Sequence, residues 1–203
     1  MNLRSAIPIV VLATIAIVAV LAVRSMSAGA PASCAPLAEG AILESRNFAP
    51  PDEIERPPEV PINPTPSVGP ELPPDPWIPT DTLDDLPLQL AREGTPGEVV
   101  RWFSDRAIDP TLTLSGFIAQ GGVVFSRSPL SGATASGLLE SLGERAVAVE
   151  VGLYDGVLTW ADPLVNGVRP HQLWWSDDQY AYYLLADRSA VAITNLGRGM
   201  VCG

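Results

Sequence analysis

The run from Ala6 to Val23 is eighteen residues long, contains no charge and is bracketed by Arg4 and Arg24. At the rise of an α-helix it spans about 27 Å, close to the hydrocarbon thickness of a bilayer. It therefore predicts an address before an activity. Secretory signals also begin with a basic residue and an apolar core, but those cores usually stop at about 7 to 15 residues. The length favours an uncleaved transmembrane signal-anchor over residues 6–23, although Pro8 and Thr14 weaken the span. Ala30-Pro31-Ala32 offers a small-x-small site, and cleavage after Ala32 would instead give a secreted protein. Only residues 1–5 precede the run, so a single-pass protein of the cell membrane is expected, with its domain on the extracytoplasmic side.

The formal charge of −11 argues against nucleic acid, which needs a basic face to neutralise phosphates. It also argues against docking on anionic lipid. Much of that acidity is local: nine acids stand against Arg56 between Pro50 and Asp85. Twelve of the thirty residues from Pro50 to Pro79 are proline, which removes backbone donors and disfavours helix in the preceding residue. The division expected is a juxtamembrane segment over 24–49, an extended acidic linker over 50–85 and a folded domain over 86–203. Pro61-Ile62-Asn63-Pro64 matches a peptide-ligand pattern, but a tract this rich in proline generates such matches by chance.

Within the domain, Thr95-Pro96-Gly97-Glu98 reads as a helix start with a capping box, the helix carrying Val99, Val100, Trp102, Phe103 and Ala107 to a stop at Asp109-Pro110. A strand is expected over Gly121–Ser126 and a helix from Ala133 to Leu142, closed by Gly143. Arg145 to Leu153 alternates through Val147, Val149 and Val151, and Asp155-Gly156 supplies a tight turn that sets Val151 opposite Trp160. A second hairpin joins His171–Ser176 to Gln179–Leu185, with Trp175 opposite Tyr180 and Leu173 opposite Tyr182. Trp174 and Tyr183 then face the other side. A last helix runs from Ser189 to Met200. The fold class is α+β: a small antiparallel sheet of four or five strands with two or three helices packed on one face.

Cys34 and Cys202 flank the exported chain, and on the oxidising side of a membrane their simplest use is an intramolecular disulfide. Pairing between molecules and two free thiols are the alternatives. Two cysteines and one histidine do not build a structural zinc site, so no metal or cofactor is expected. His171 is the only histidine, and no nucleophile elbow or phosphate-cradling loop is present. Asp177-Asp178 is the obvious carboxylate pair for glycosidase chemistry, but adjacent aspartates at that position are turn formers first. Enzymatic activity is not expected. The aromatic group Trp174, Trp175, Tyr180, Tyr182 and Tyr183 is the candidate ligand-binding surface, since stacked rings offer apolar area with a polar edge. Ordinary core and strand packing would use the same residues.

The stretch from Gln172-Leu173-Trp174-Trp175 through Tyr180-Ala181-Tyr182-Tyr183 to Gly199-Met200-Val201-Cys202, about residues 170–202, resembles the closing hairpin and helix of small extracytoplasmic modules. Those modules belong to actinobacterial membrane-anchored proteins and are related to lipoprotein-carrier and anti-sigma-accessory domains. The resemblance implies an accessory or sensory role. A direct anti-sigma role would also need a cytoplasmic sigma-binding part, and the five residues before the apolar run supply none. Two functions are carried forward. One is a non-enzymatic envelope protein that binds a partner protein or cell-wall ligand. The other is a carrier of a lipid or other hydrophobic ligand between sheet and helices.

Overall fold

Strand β1 (Thr82–Leu83) folds straight back onto β2 (Leu86–Glu93) through Asp84 and Asp85, which both hold positive φ angles. This is a computed structural model describing residues 34–42, 61–66, 75–94, 97–160 and 170–203; the apolar run 6–23 and the juxtamembrane and linker residues 24–33, 43–60 and 67–74 lie outside it. Among the described residues no helix is long and apolar enough to cross a membrane. β3 (Val99–Phe103) and β4 (Val123–Pro129) continue the meander, with the short helix α1 (Leu114–Ala119) between them, N-capped by Thr113. Helix α2 (Ala135–Leu142) follows, then β5 (Ala146–Val151), β6 (Tyr154–Trp160), β7 (His171–Ser176), β8 (Tyr180–Ala186) and helix α3 (Ala190–Cys202).

All eight strands join one antiparallel sheet in the order β1-β2-β3-β4-β8-β7-β6-β5. Two local meanders, β1 to β4 and β5 to β8, therefore meet along a seam between β4 and β8. The sheet is wider than the four or five strands expected, because residues 82–103 add three that were not anticipated. The helix expected from Val99 to Ala107 is in fact β3. Val99, Val100, Trp102 and Phe103 are β-branched or aromatic, and alternate residues serve opposite faces of the sheet. The β2–β3 connection closes with Gly94 N–H donating to the Glu98 carbonyl, leaving the local cap signal no helix to start.

Pairing registers differ from expectation in both later hairpins. Val151 opposes Tyr154, so the β5–β6 turn is Gly152-Leu153, and Asp155 and Gly156 lie within β6. Gly152 holds a φ of +62°, the conformation that a two-residue hairpin turn reserves for glycine. Trp175 opposes Tyr182 and Leu173 opposes Leu184, two residues beyond the expected pairing. Strand and helix bounds elsewhere agree with the sequence to within a few residues: α2 is capped by Thr134 and Gly143, and α3 by Ser189.

Helices cover both faces of the sheet, not one. On the first face Phe103, Phe125, Leu158, Leu173, Trp175 and Leu184 pack against Ala190 and Ile193 of α3. On the second, α1 brings Phe117 and Ile118 onto Leu90, Trp102 and Val124, while α2 lays Leu138, Leu139 and Leu142 over Val157, Trp174 and Ala181. A register shift between Leu88 and Leu90 lets β2 serve both, Leu88 on the first face and Leu90 on the second.

The fold also begins upstream of Leu86. Ile62 is buried beside α1, its N–H donating to the Leu112 carbonyl, and Trp77, Ile78 and Leu83 pack on the first face. Cys34 is joined to Cys202, with Cα atoms 5.8 Å apart. The chain after Cys34 then lies along α3: Leu37 exchanges two hydrogen bonds with the Asn195 side chain, and Arg198 donates to the carbonyls of Ala35 and Glu150.

Candidate functional site

At the free end of the β4–β8 seam, polar side chains gather where the first-face core reaches solvent. Tyr182 on β8 stands directly opposite Arg127 on β4, so the register alone makes them neighbours. The Tyr182 ring stacks on Trp175 at 5.5 Å, which buries the ring and carries its hydroxyl to the rim. There the hydroxyl lies 2.9 Å from Asp177 Oδ2 and 3.1 Å from Asp75 Oδ2.

Each carboxylate is positioned by its own backbone. Asp177 opens the β7–β8 turn, and its Oδ1 accepts from the amides of Gln179 and Tyr180, the turn-forming role expected of it. Asp75 Oδ1 likewise accepts from the amide of Trp77. Arg127 Nη1 donates to Asp75 Oδ2 at 2.8 Å and Nε donates to the Gly97 carbonyl at 3.1 Å. Its guanidinium carbon sits 4.3 Å from the centre of the Tyr180 ring, within cation–π range. Gly97 makes this approach possible: its φ is +92°, and a Cβ there would stand 2.9 Å from Tyr180 Cε1.

The result is an open cleft of about 300 Å³ lined by Asp75, Trp77, Arg127, Asp177, Tyr180 and Tyr182, with Pro76 and Gln179 at its edge. Trp77 meets Tyr154 and Tyr182 edge-on at 4.9 and 5.1 Å. Burial, the hydrogen bond with Asp177 and the charge of Asp75 together hold the Tyr182 phenol far above its ordinary pKa, so it stays protonated. Arg127 is 1 % exposed, and its Nη2, shut off from solvent, has no hydrogen-bond partner among the described residues.

The five aromatic residues expected as a binding surface divide between the two faces of the sheet. Trp174, Trp175 and Tyr182 are buried, and Trp174 and Tyr183 lie on the second face under α2. Only Tyr180 and Tyr182 reach the cleft. Sequence reasoning missed Asp75, Trp77 and Arg127. One signal was present: Arg127 interrupts the apolar strand Val123–Pro129 at a position whose alternate neighbours, Val123 and Phe125, face the core. His171 is buried against Trp160, its ring centre 5.9 Å away. Among the described residues no group of three or more histidine, cysteine or acidic side chains is placed to hold a metal ion.

A second, larger groove of about 530 Å³ runs between residues 76–84 and α3, lined by Trp77, Leu83, Asn195, Leu196 and Met200. Comparison with protein-family models, curated proteins and solved structures gives no match for this chain.

Proposed function

We propose that this chain is a non-enzymatic envelope protein, anchored through residues 6–23, whose extracytoplasmic domain acts as an interaction or sensory module by binding a partner protein or cell-wall ligand at the Asp75–Arg127–Tyr182 cleft. The observation that carries the compartment is the Cys34–Cys202 pair, since such bonds persist in oxidising surroundings. Cys34 follows Arg24 by ten residues in the sequence. The cleft supports binding because it is open and its polar groups are held in place by the fold.

A carrier of hydrophobic ligands would need room between the sheet and α3. That interface is filled where Gly197 crosses β7: a Cβ on Gly197 would lie 2.5 Å from Leu173 Cδ2. The experiment is fractionation of intact cells followed by thiol mass-tagging with and without reductant. A membrane-bound protein whose cysteines are tagged only after reduction supports the reading, and recovery from the medium with residues 1–32 missing identifies the secreted form. Free thiols in a cytosolic fraction overturn it.

A further inference from the structure

Strand β5 is an outer strand of the sheet, paired with β6 alone. The hairpin it shares with β6 decides which of its backbone groups face outward. A two-residue turn over Gly152-Leu153 is closed by a hydrogen-bonded pair, Val151 with Tyr154. Bonding alternates along an antiparallel ladder, so Val147, Val149 and Val151 turn their N–H and C=O groups to β6, and Ala146, Ala148 and Glu150 turn theirs outward. Arg198 agrees with this phase, since its Nε donates to the Glu150 carbonyl at 2.8 Å. At the other end the Ala146 N–H donates to the Gly143 carbonyl. Four outward groups are left without a partner among the described residues: the Ala146 carbonyl, the N–H and C=O of Ala148, and the Glu150 N–H.

Those groups are complementary to themselves. When two copies of β5 run antiparallel about a two-fold axis at Ala148, each Ala148 faces its equivalent and each Ala146 faces a Glu150. The two Ala148 residues exchange a pair of bonds, and each Glu150 N–H donates to the Ala146 carbonyl across the axis. The groups that this pairing leaves unused, the Ala146 N–H and the Glu150 carbonyl, are the two already bonded within the chain. An axis at Val147 or Val149 sets Ala148 against one of those occupied groups instead. The side chains fit the same register. Val147 and Val149 are half-buried, and each meets the other's equivalent at a non-hydrogen-bonded position, where side chains come closest. Ala148 and Glu150 are exposed; a methyl group stands at the axis, and the two Glu150 residues are held about 14 Å apart. β5 also lacks the usual protections of an outer strand, having no proline, lysine or bulge. The opposite edge of the sheet ends in the two-residue β1.

We propose that β5 is a homodimer interface, through which two copies of this chain pair antiparallel over Ala146–Glu150 and join their sheets edge to edge. The pairing uses neither the cleft nor the anchor, so it goes beyond the reading above.

The test uses the full-length protein in detergent, carrying one added cysteine and oxidised with copper phenanthroline. Hydrogen-bonded neighbours have Cα atoms about 5.5 Å apart, inside the disulfide range, so Ala148→Cys should crosslink to its own copy. Ala146→Cys should not, its two copies standing about 14 Å apart, but it should crosslink to Glu150→Cys when the two variants are mixed. Sedimentation equilibrium of the unaltered protein should show a dimer. Ala148→Pro removes an outward N–H from each copy and no internal bond, a position where an edge strand tolerates proline, and should weaken the dimer about tenfold or more. Ala148→Lys sets like charges directly opposite on an exposed position, so it weakens the dimer without touching the core. A protein that stays monomeric up to about 0.1 mM overturns the proposal, as does a dimer that both variants leave unchanged, or equal crosslinking at Ala146 and Ala148. Capture of a different protein by Ala148→Cys in membranes, without the homodimer, identifies a foreign strand and overturns the second copy as occupant. A monomer in a membrane fraction removes this proposal alone, whereas free thiols in a cytosolic fraction remove the envelope reading alone.

Discussion

Replacing both cysteines, Cys34→Ser with Cys202→Ser, opens a covalent ring spanning 168 positions. For a loop of that length the chain-entropy model assigns about 5 kcal/mol, almost all of it exerted on the unfolded chain. The native side should change little, since Leu37 stays paired with Asn195 and Ala35 with Arg198. For a folded unit of this size each kcal/mol moves the midpoint by about 2–4 °C, so the variant should melt about 10–20 °C lower. Urea denaturation adds a second readout: the m-value should rise, because an open unfolded chain exposes more surface than a ring. A shift under about 3 °C with unchanged m would show that the ring does not restrict the unfolded ensemble, and the argument from loop length would fall.

Other outcomes follow from particular contacts. Gly197→Ala should cost about 1–2 kcal/mol net in urea, because the new methyl lands 2.5 Å from Leu173 Cδ2, which must shift within a filled core, while the helix gains about 1 kcal/mol from losing an interior glycine. Asn195→Ala should cost about 1–3 kcal/mol and raise amide exchange over residues 34–42 before any global change, since it removes both bonds to Leu37. In an alkaline titration followed by phenolate absorbance, Tyr182 should stay protonated above the ordinary phenol range, until the protein unfolds. The sign follows from linkage: a phenol held protonated in the native state but free to ionise when unfolded lowers stability as pH rises above about 10, by at most about 1.4 kcal/mol per pH unit. Tyr182→Phe should flatten that decline, and an equally steep decline in the variant would exclude Tyr182 as its source.

The parts of this fold legible in the sequence are those where local signals and tertiary packing agree. Ser189 before an apolar helix, Thr134 and Gly143 around α2, and the aromatic strands on either side of Asp177 all name their own boundaries. Where the two conflict, packing prevails. The capping box at Thr95 loses to Val99, Val100, Trp102 and Phe103, whose alternate side chains fill cores on both faces of the sheet. Asp155-Gly156 is the stronger hairpin dipeptide, yet the turn goes to Gly152. Gly156 is used for closeness, since a Cβ there would meet Val151 and the Trp174 carbonyl at 2.9 and 3.1 Å. The cleft was hidden because its members come together only through folding: Asp75 reaches Arg127 across 52 positions and Tyr182 across 107. Proline spacing described residues 50–85 as a spacer, and nothing in that spacing marks Ile62, Trp77 or Leu83 as parts of the core.

Because Cys34 and Cys202 close on each other, residues 34–202 form a covalent circle whose two ends share one point. A protease that makes a single cut inside this circle releases no fragment, since both pieces remain on the same disulfide. Chain ends created at an exposed loop replace ends already held together, the arrangement that lets a fold survive circular permutation. A nicked copy would run as two bands only after reduction. The domain would then outlast its first cleavage as one piece.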